Sequence, residues 1–271
     1  MSKIVEDIYK YLESYSPVSE EEAKELSDAL SKVIKEKLSK YREPSLSMSS
    51  IGKPARKLWM DVRYPHKPNG AARLKFLYGD ILETLILWLI KRSGHSVTDC
   101  QKSVSVEGVS GSIDCIIDGN LKDIKSCSPG SYKKFSSGDL PSNDPFGYCA
   151  QIAGYNAKIK SEKPGFIAVN KVTGEVCEYN PDIEFDLPNP KEVIKRAKRV
   201  LKKGADMPKE PCYPPVQMGT GGNLAVNKAC HYCPHLKKCW KDVRTFKYSY
   251  GLEYLIKVVK EPRVEEIKNE R

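Results

Sequence analysis

The chain has 271 residues, enough to bury a substantial core in one elaborated domain or in two. Its net charge of +10 and pI near 9.0 suit a polyanionic partner, nucleic acid before membrane. From the polar, amphipathic start "MSKIVEDIYKYLESY" no signal peptide is expected, and the longest apolar run, "ILETLILWLI" (81–90), carries Glu83 and is too short to span a bilayer. A cytoplasmic, reducing location is expected, where nine cysteines, an odd number, argue against a disulfide framework and for metal binding by some of them.

Residues 1 to about 42 predict one or two charged helices broken near Pro17 and Ser19, read as a solvated N-terminal helical extension. "REPSLSMSSIGKPARKLWM" (42–60) is a Ser/Pro linker entering a short basic helix with Lys53, Arg56, Lys57 and Trp59. "AARLKFLYGDILETLILWLIKRSG" (71–94) predicts a long helix, apolar on most sides and hence buried, stopped by Gly94. "HSVTDCQKSVSVEG" (95–108) predicts a strand leading into a hairpin, and 127–145 a Gly/Ser/Pro loop. Beyond it, 146–160 predicts a helix, 163–171 a buried strand, 174–180 a short strand and 189–204 a basic amphipathic helix ended by Gly204. The order predicts an α/β core with a mixed sheet flanked by helices. Three parts are expected: the extension over 1–44, the core over 45–205, and a cysteine-rich, metal-binding segment with the tail over 206–271.

The hairpin "GSIDCIIDGNLKDIKS" (111–126) carries the chemistry. Asp118-Gly119 is a strong two-residue turn signal, since both residues tolerate the positive φ of a type I′ turn. Counting outward from it sets Cys115 opposite Lys122 and Asp114 opposite Asp123, with Lys125 on the same face as Asp123. Two carboxylates roughly 5 Å apart repel unless something positive lies between them, either a divalent cation or Lys125. A turn at Gly119-Asn120 would instead set Asp114 opposite Lys125, a plain ion pair.

Mg²⁺ or Mn²⁺ takes oxygen ligands. Asp114 and Asp123 can supply two and the main-chain carbonyl of Ile124 a third. Lys125 can orient an attacking water or stabilise charge on the phosphorane. Glu83, inside an apolar helical stretch where an unpaired charge is costly, is the best further acid, or else it is salt-bridged to a buried base. Gln151 and Tyr155, spaced i, i+4, share a helix face as a hydrogen-bonding pair at the site's edge or as a plain polar face.

Cys230-x2-Cys233-x5-Cys239 is a strong ligand pattern for zinc or an iron–sulfur cluster, and the spacing favours iron–sulfur. Cys212 is the natural fourth ligand, with His231 or His235 as substitutes. Cys100, Cys115, Cys127, Cys149 and Cys177 are scattered and read as ordinary core or surface thiols. For nucleic acid, "SYKKF" (131–135) interleaves Tyr132, Lys133 and Lys134 for stacking and phosphate contact, or is a solvated loop. Lys53, Arg56 and Lys57 can hold phosphates near a helix N-terminus.

These residues together resemble the PD-(D/E)XK nuclease superfamily, closest to its RecB-like exonuclease branch, over roughly residues 45 to 240. Asp123-Ile124-Lys125 matches the D/E-x-K element, Asp114 the preceding metal-binding acid, Glu83 the first-motif acid, and Gln151 with Tyr155 the Q-x-x-x-Y motif. "GKPARKLW", "FGYCAQIAGY" and "CHYCPHLKKCW" also look like exonucleases of tailed phages, which would place the protein in host cytoplasm. Many RecB-like members carry a His ahead of the first acid; here Tyr78-Gly79-Asp80 occupies that stretch, with Asp80 as a substitute. In cluster-bearing members a three-cysteine group closes onto a cysteine before the core; this chain has none before Cys100, so Cys212 would close a 4Fe–4S cluster locally.

The resemblance implies a restriction-endonuclease-like core and a metal-dependent DNA exonuclease acting on single- or double-stranded ends. The rivals are a structure-selective endonuclease and a non-catalytic nucleic-acid-binding protein with a structural zinc site.

Overall fold

The computed structural model describes residues 1–39, 41 and 43–267. In chain order they form α1 (Lys3–Glu13), α2 (Glu20–Ser39), α3 (Ala55–Arg63), α4 (Gly70–Arg92), β1 (Val97–Thr98), β2 (Ser103–Val106), β3 (Val109–Ser112), β4 (Cys115–Ile117) and β5 (Asn120–Cys127). Then follow α5 (Pro129–Ser136), α6 (Tyr148–Ile159), β6 (Gly165–Asn170), β7 (Val176–Tyr179), α7 (Pro190–Val200), β8 (Val216–Met218), β9 (Asn223–Ala225), α8 (Leu236–Cys239), β10 (Arg244–Tyr248) and β11 (Gly251–Lys257). Two compact units result, Met1–Lys53 with Lys67–Arg199, and Pro54–His66 with the chain from Val200 onward. Residues 54–66, read from sequence as part of the 45–205 core, thus group with the C-terminal residues. No helix among the described residues is long and apolar enough to cross a membrane.

The first unit is built on a mixed sheet in the order β1-β4-β5-β6-β7. β4 and β5 are antiparallel, β5 and β6 parallel, and β6 and β7 antiparallel. The parallel step needs a crossover, which α5 and α6 supply. β6 is buried along its whole length, as a strand covered on both faces must be. One face packs on α5 and α6 through Phe135, Ile152, Tyr155 and Phe166. The other packs on α4 through Ile86, Leu89, Ile90, Ile124 and Ile167.

Four local expectations need correction. The N-terminal segment is not simply solvated: Ile4, Val5 and Ile8, one stripe of α1, are buried in the same cluster as α4. α2, by contrast, buries no residue fully. α4 is buried only toward its C-terminal end; Leu74, Phe76 and Tyr78 near its start are more than half exposed. "SYKKF" is not loop but part of α5, capped by the Ser128 hydroxyl on Ser131 N–H with Pro129 in the first turn, and Phe135 faces the core. The stretch 95–108 also folds differently: β1 ends at Thr98, and β2 and β3 make a separate two-stranded hairpin.

The second unit holds α3, α8 and a four-stranded antiparallel sheet in the order β10-β11-β9-β8. Ala225, Phe246 and Leu255 form its small core. Trp59 Nε1 donates to Ala205 O at 2.9 Å and Arg63 to Lys202 O at 3.0 Å, tying α3 to the chain that follows α7.

Candidate active site

The turn at Asp118-Gly119 forms with both residues at positive φ, +47° and +80°. It sets Ile117 opposite Asn120, Ile116 opposite Leu121 and Cys115 opposite Lys122, the register that brings Asp114 to Asp123. The Gly119-Asn120 turn, with its Asp114–Lys125 pair, is therefore not used. Asp114 lies just before β4, and its carboxylate accepts from the Ile124 N–H at 2.7 Å. Asp123 is almost fully buried on β5 and is ion-paired with Lys125 two residues on. Gln151 of α6 donates to the other oxygen of Asp123 at 3.3 Å.

Electrostatics knit these groups together. Burial and then the charges of Asp123 and Glu83 push the Asp114 carboxyl well above its ordinary value. Burial, followed by Asp123 and Asp80, pushes Glu83 up to about 7. Burial opposes the charge on Lys125, but Asp123 and Asp114 outweigh it and hold the ammonium above its usual range. Three acids and one base thus share a poorly solvated space, in which each carboxylate charge disfavours the next. Tyr155 is buried on the same helix face as Gln151; burial raises its phenol to about 12, against a hydrogen bond with Gln151.

Two neighbours carry no motif signal. Gln101, in the turn between β1 and β2, donates to Glu83 at 2.7 Å. The Lys125 ammonium lies over the Tyr148 ring, 4.7 Å from its centre. Tyr148 stands three residues before Gln151 on α6, so the helical period could have placed it beside Gln151; nothing in the sequence brings Gln101 to Glu83. Asp80 pairs with Lys37 of α2 at 2.7 Å.

The cysteine site lies in the second unit. Burial raises the Cys230 thiol to about 11, helped by the charges of Cys233, Cys212 and Cys239. Cys212 likewise has Cys239 and Cys233 as neighbours. The histidines turn elsewhere: His235 Nε2 meets Asp61 Oδ1 at 2.9 Å, and His231 faces Glu253 at 3.7 Å and packs on the Tyr254 ring. Cys212, not a histidine, therefore keeps company with the other three sulfurs. Four thiols are the right donors for zinc or an iron–sulfur cluster. Even so, among the described residues no three His, Cys, Asp or Glu side chains stand arranged to hold a metal ion, at either site.

The expected phosphate contacts are placed differently. Arg56 donates from Nε to Pro208 O at 2.8 Å, also bonds Lys209 O, and reaches the Cys239 sulfur. Lys57 pairs with Asp61 at 2.9 Å, and its main-chain N–H serves Cys212. Arg56 and the Lys57 N–H thus attend the cysteines, while the Pro208 and Lys209 carbonyls and the Asp61 carboxylate take further donors. Lys53 belongs to the first unit, where its carbonyl accepts from Arg196 at 3.1 Å. On α5, Lys134 bonds Asn143 O at 3.0 Å while Tyr132 packs against the core, leaving Lys133 of that trio in the open.

No family profile and no curated protein matches the sequence. The crystal structure of SSO0001 aligns with 67% of this chain and 87% of its own at 15% identity, with a TM-score of 0.42.

Proposed function

We propose that the chain is a metal-dependent DNA nuclease of the PD-(D/E)XK kind, with a restriction-endonuclease-like core and exonuclease activity on DNA ends. The observation that carries this reading is the buried Asp123–Lys125 pair with Asp114 on the adjoining turn of chain and Gln151 on the remaining Asp123 oxygen. Gathering Asp114, Asp123 and Glu83 in one poorly solvated space costs stability, a cost typical of functional sites. Asp114, Asp123, Glu83 and the Ile124 carbonyl would hold Mg²⁺ or Mn²⁺, which when bound polarises phosphate and lowers the pKa of water. Lys125 stabilises the charge that builds on the phosphate oxygens, and the Tyr148 ring and Asp123 hold its ammonium in place. Gln151 fixes the Asp123 carboxylate.

In the second unit, Cys212, Cys230, Cys233 and Cys239 would hold a 4Fe–4S cluster, or zinc in its place. Arg56 and the Lys57 N–H support the sulfurs.

A second reading has one observation in its favour. Lys125 already neutralises Asp123 without a cation, as a structural pair would. On that reading the protein binds nucleic acid without cutting it.

The deciding assay compares linear end-labelled DNA with closed circles in Mg²⁺ or Mn²⁺, for wild type and Lys125→Ala. Loss of linear DNA, survival of circles and an inactive variant support the exonuclease. Cleaved circles point to the endonuclease, and intact DNA throughout to the binding protein.

A further inference from the structure

The chain's positive charge is unevenly spread between its two units. Residues 54–66 and 200–271 hold 17 Lys and Arg against 9 Asp and Glu, a surplus of +8 out of the whole chain's +10. The unit with the acidic site is left with 28 against 26, close to neutral. A polyanion is therefore drawn to the second unit by a sequence-independent term.

That unit also displays aromatic rings with nothing packed on their outer faces. Tyr232 is 94% exposed, held out by the turn in which Cys233 N–H donates to Cys230 O at 3.0 Å. Tyr250, at the turn between β10 and β11, is 68% exposed and stacks on Tyr248 with ring centres 5.3 Å apart and planes 24° from parallel. His231, beside Tyr232, packs on Tyr254 of β11, the strand that the Tyr250 turn opens. In the same unit Lys228, Lys237, Lys241 and Lys247 are exposed and without ion-pair partners among the described residues. Arg244 and Lys238 are occupied, the first by Glu261 and Glu266, the second by the Tyr64 ring.

We infer that Tyr232 and the Tyr248–Tyr250 pair, with these four lysines, form a binding platform for single-stranded nucleic acid on the C-terminal unit. Unpaired bases offer the faces that stack on such rings, and the lysines meet the phosphates. A duplex keeps its bases inside and can use only the lysines. The inference rests on the nucleic-acid side of the proposed function but not on hydrolysis, so binding is measured without divalent metal, where the nuclease reading is not engaged.

The test is fluorescence anisotropy of the full-length protein with a labelled oligothymidylate of about 16 nucleotides, within the footprint of such platforms. Tyr232→Ala and Tyr250→Ala should each weaken binding about 10-fold or more. Tyr232→Phe and Tyr250→Phe, which keep the ring, should bind as wild type. Lys237→Glu should flatten the salt dependence of the affinity. Lys32→Ala, an exposed lysine of the first unit, should bind as wild type. Because both tyrosines are exposed, the variants should melt like wild type; the Phe variants separate ring loss from any folding defect. Wild-type affinity in both Tyr→Ala variants overturns the platform. So does an equal loss on blunt duplex, and so does a wild type that binds no oligonucleotide. Metal-dependent cleavage, assayed separately, decides the nuclease reading whichever of these is seen.

Discussion

Lys122 Nζ lies 2.7 Å from Glu178 Oε1, in a place where Lys122 is only 2% exposed. Lys122 also donates to Lys163 O at 3.1 Å and to the Asn180 side chain. Three residues along the same strand, Lys125 faces the acidic site. β5 thus carries one lysine that holds β7 and one that serves the carboxylates, on opposite faces of the sheet.

Lys122→Met should destabilise the fold by about 3–5 kcal/mol, because it leaves Glu178 buried without its partner. Urea unfolding measures this. Lys122→Met with Glu178→Leu should recover much of the loss, since both charges are then gone. Failure to recover would mean that the Lys163 and Asn180 contacts, not the ion pair, carry the stability.

The same pair sets an acid limit. Burial works to raise the Glu178 carboxyl, but the Lys122 hydrogen bond and charge outweigh it and hold it below its ordinary value. The folded state then releases the proton more readily than the unfolded chain. The stabilisation is therefore complete above about pH 4.3, the unfolded value, and is lost as pH falls through the folded one. Unfolding free energy followed below pH 5 should fall less steeply for Glu178→Gln than for wild type.

Gly147 opens α6, the helix that carries Gln151, at φ +78°. A Cβ there would meet the Gly52 backbone at 2.4 Å. Gly147→Ala should cost about 2–4 kcal/mol, from left-handed strain together with the overlap. Gly79→Ala meets nothing within 4 Å inside α4 and should stabilise by up to about 1 kcal/mol. Thermal melts of the two variants, run side by side, should move in opposite directions.

Gln151→Ala removes the 3.3 Å donor to Asp123 while leaving Lys125 in place. On the proposed nuclease reading, hydrolysis of linear DNA should drop about 10–100-fold, the usual effect of losing a group that orients a ligand. Tyr155→Phe should have a smaller effect, because its hydroxyl acts through Gln151. A Gln151→Ala variant with full activity would remove the Q-x-x-x-Y helix from the proposed mechanism.

If the cysteine site holds zinc or iron as proposed, Cys212→Ser should release it, measured as metal per chain and as any visible absorption. Cys177→Ser, on a thiol of the first unit, should retain it. A brown wild type that bleaches in Cys212→Ser assigns an iron–sulfur cluster closed by that residue. Equal metal content in the two variants would show that Cys212 is not a ligand.

Much of the candidate site was legible in the sequence because its parts are local. Asp118-Gly119 specifies its own turn, and the two-residue period of a strand then fixes which side chains face Asp123. Gln151 and Tyr155 share a face by helical spacing alone. Cys230 and Cys233 lie in one short turn.

The tertiary structure decided what depends on distant chain. Burial of α1 against α4, rather than solvation, follows from an apolar stripe too short to announce its partner. Lys57 and Arg56 look like free cations until the carboxylate of Asp61 and the carbonyls of Pro208 and Lys209 arrive. Gln101 reaches Glu83, and Cys212 the other sulfurs, only through folded loops. The four-stranded C-terminal sheet has no local signal for two of its strands, because β8 and β9 are three residues each, too short to show a strand period. The sequence determined the local registers and the chemical kinds of group present. Which charges meet, and so which are spent on structure and which remain for function, depended on long-range packing, because no local period reports a contact between residues far apart in the chain.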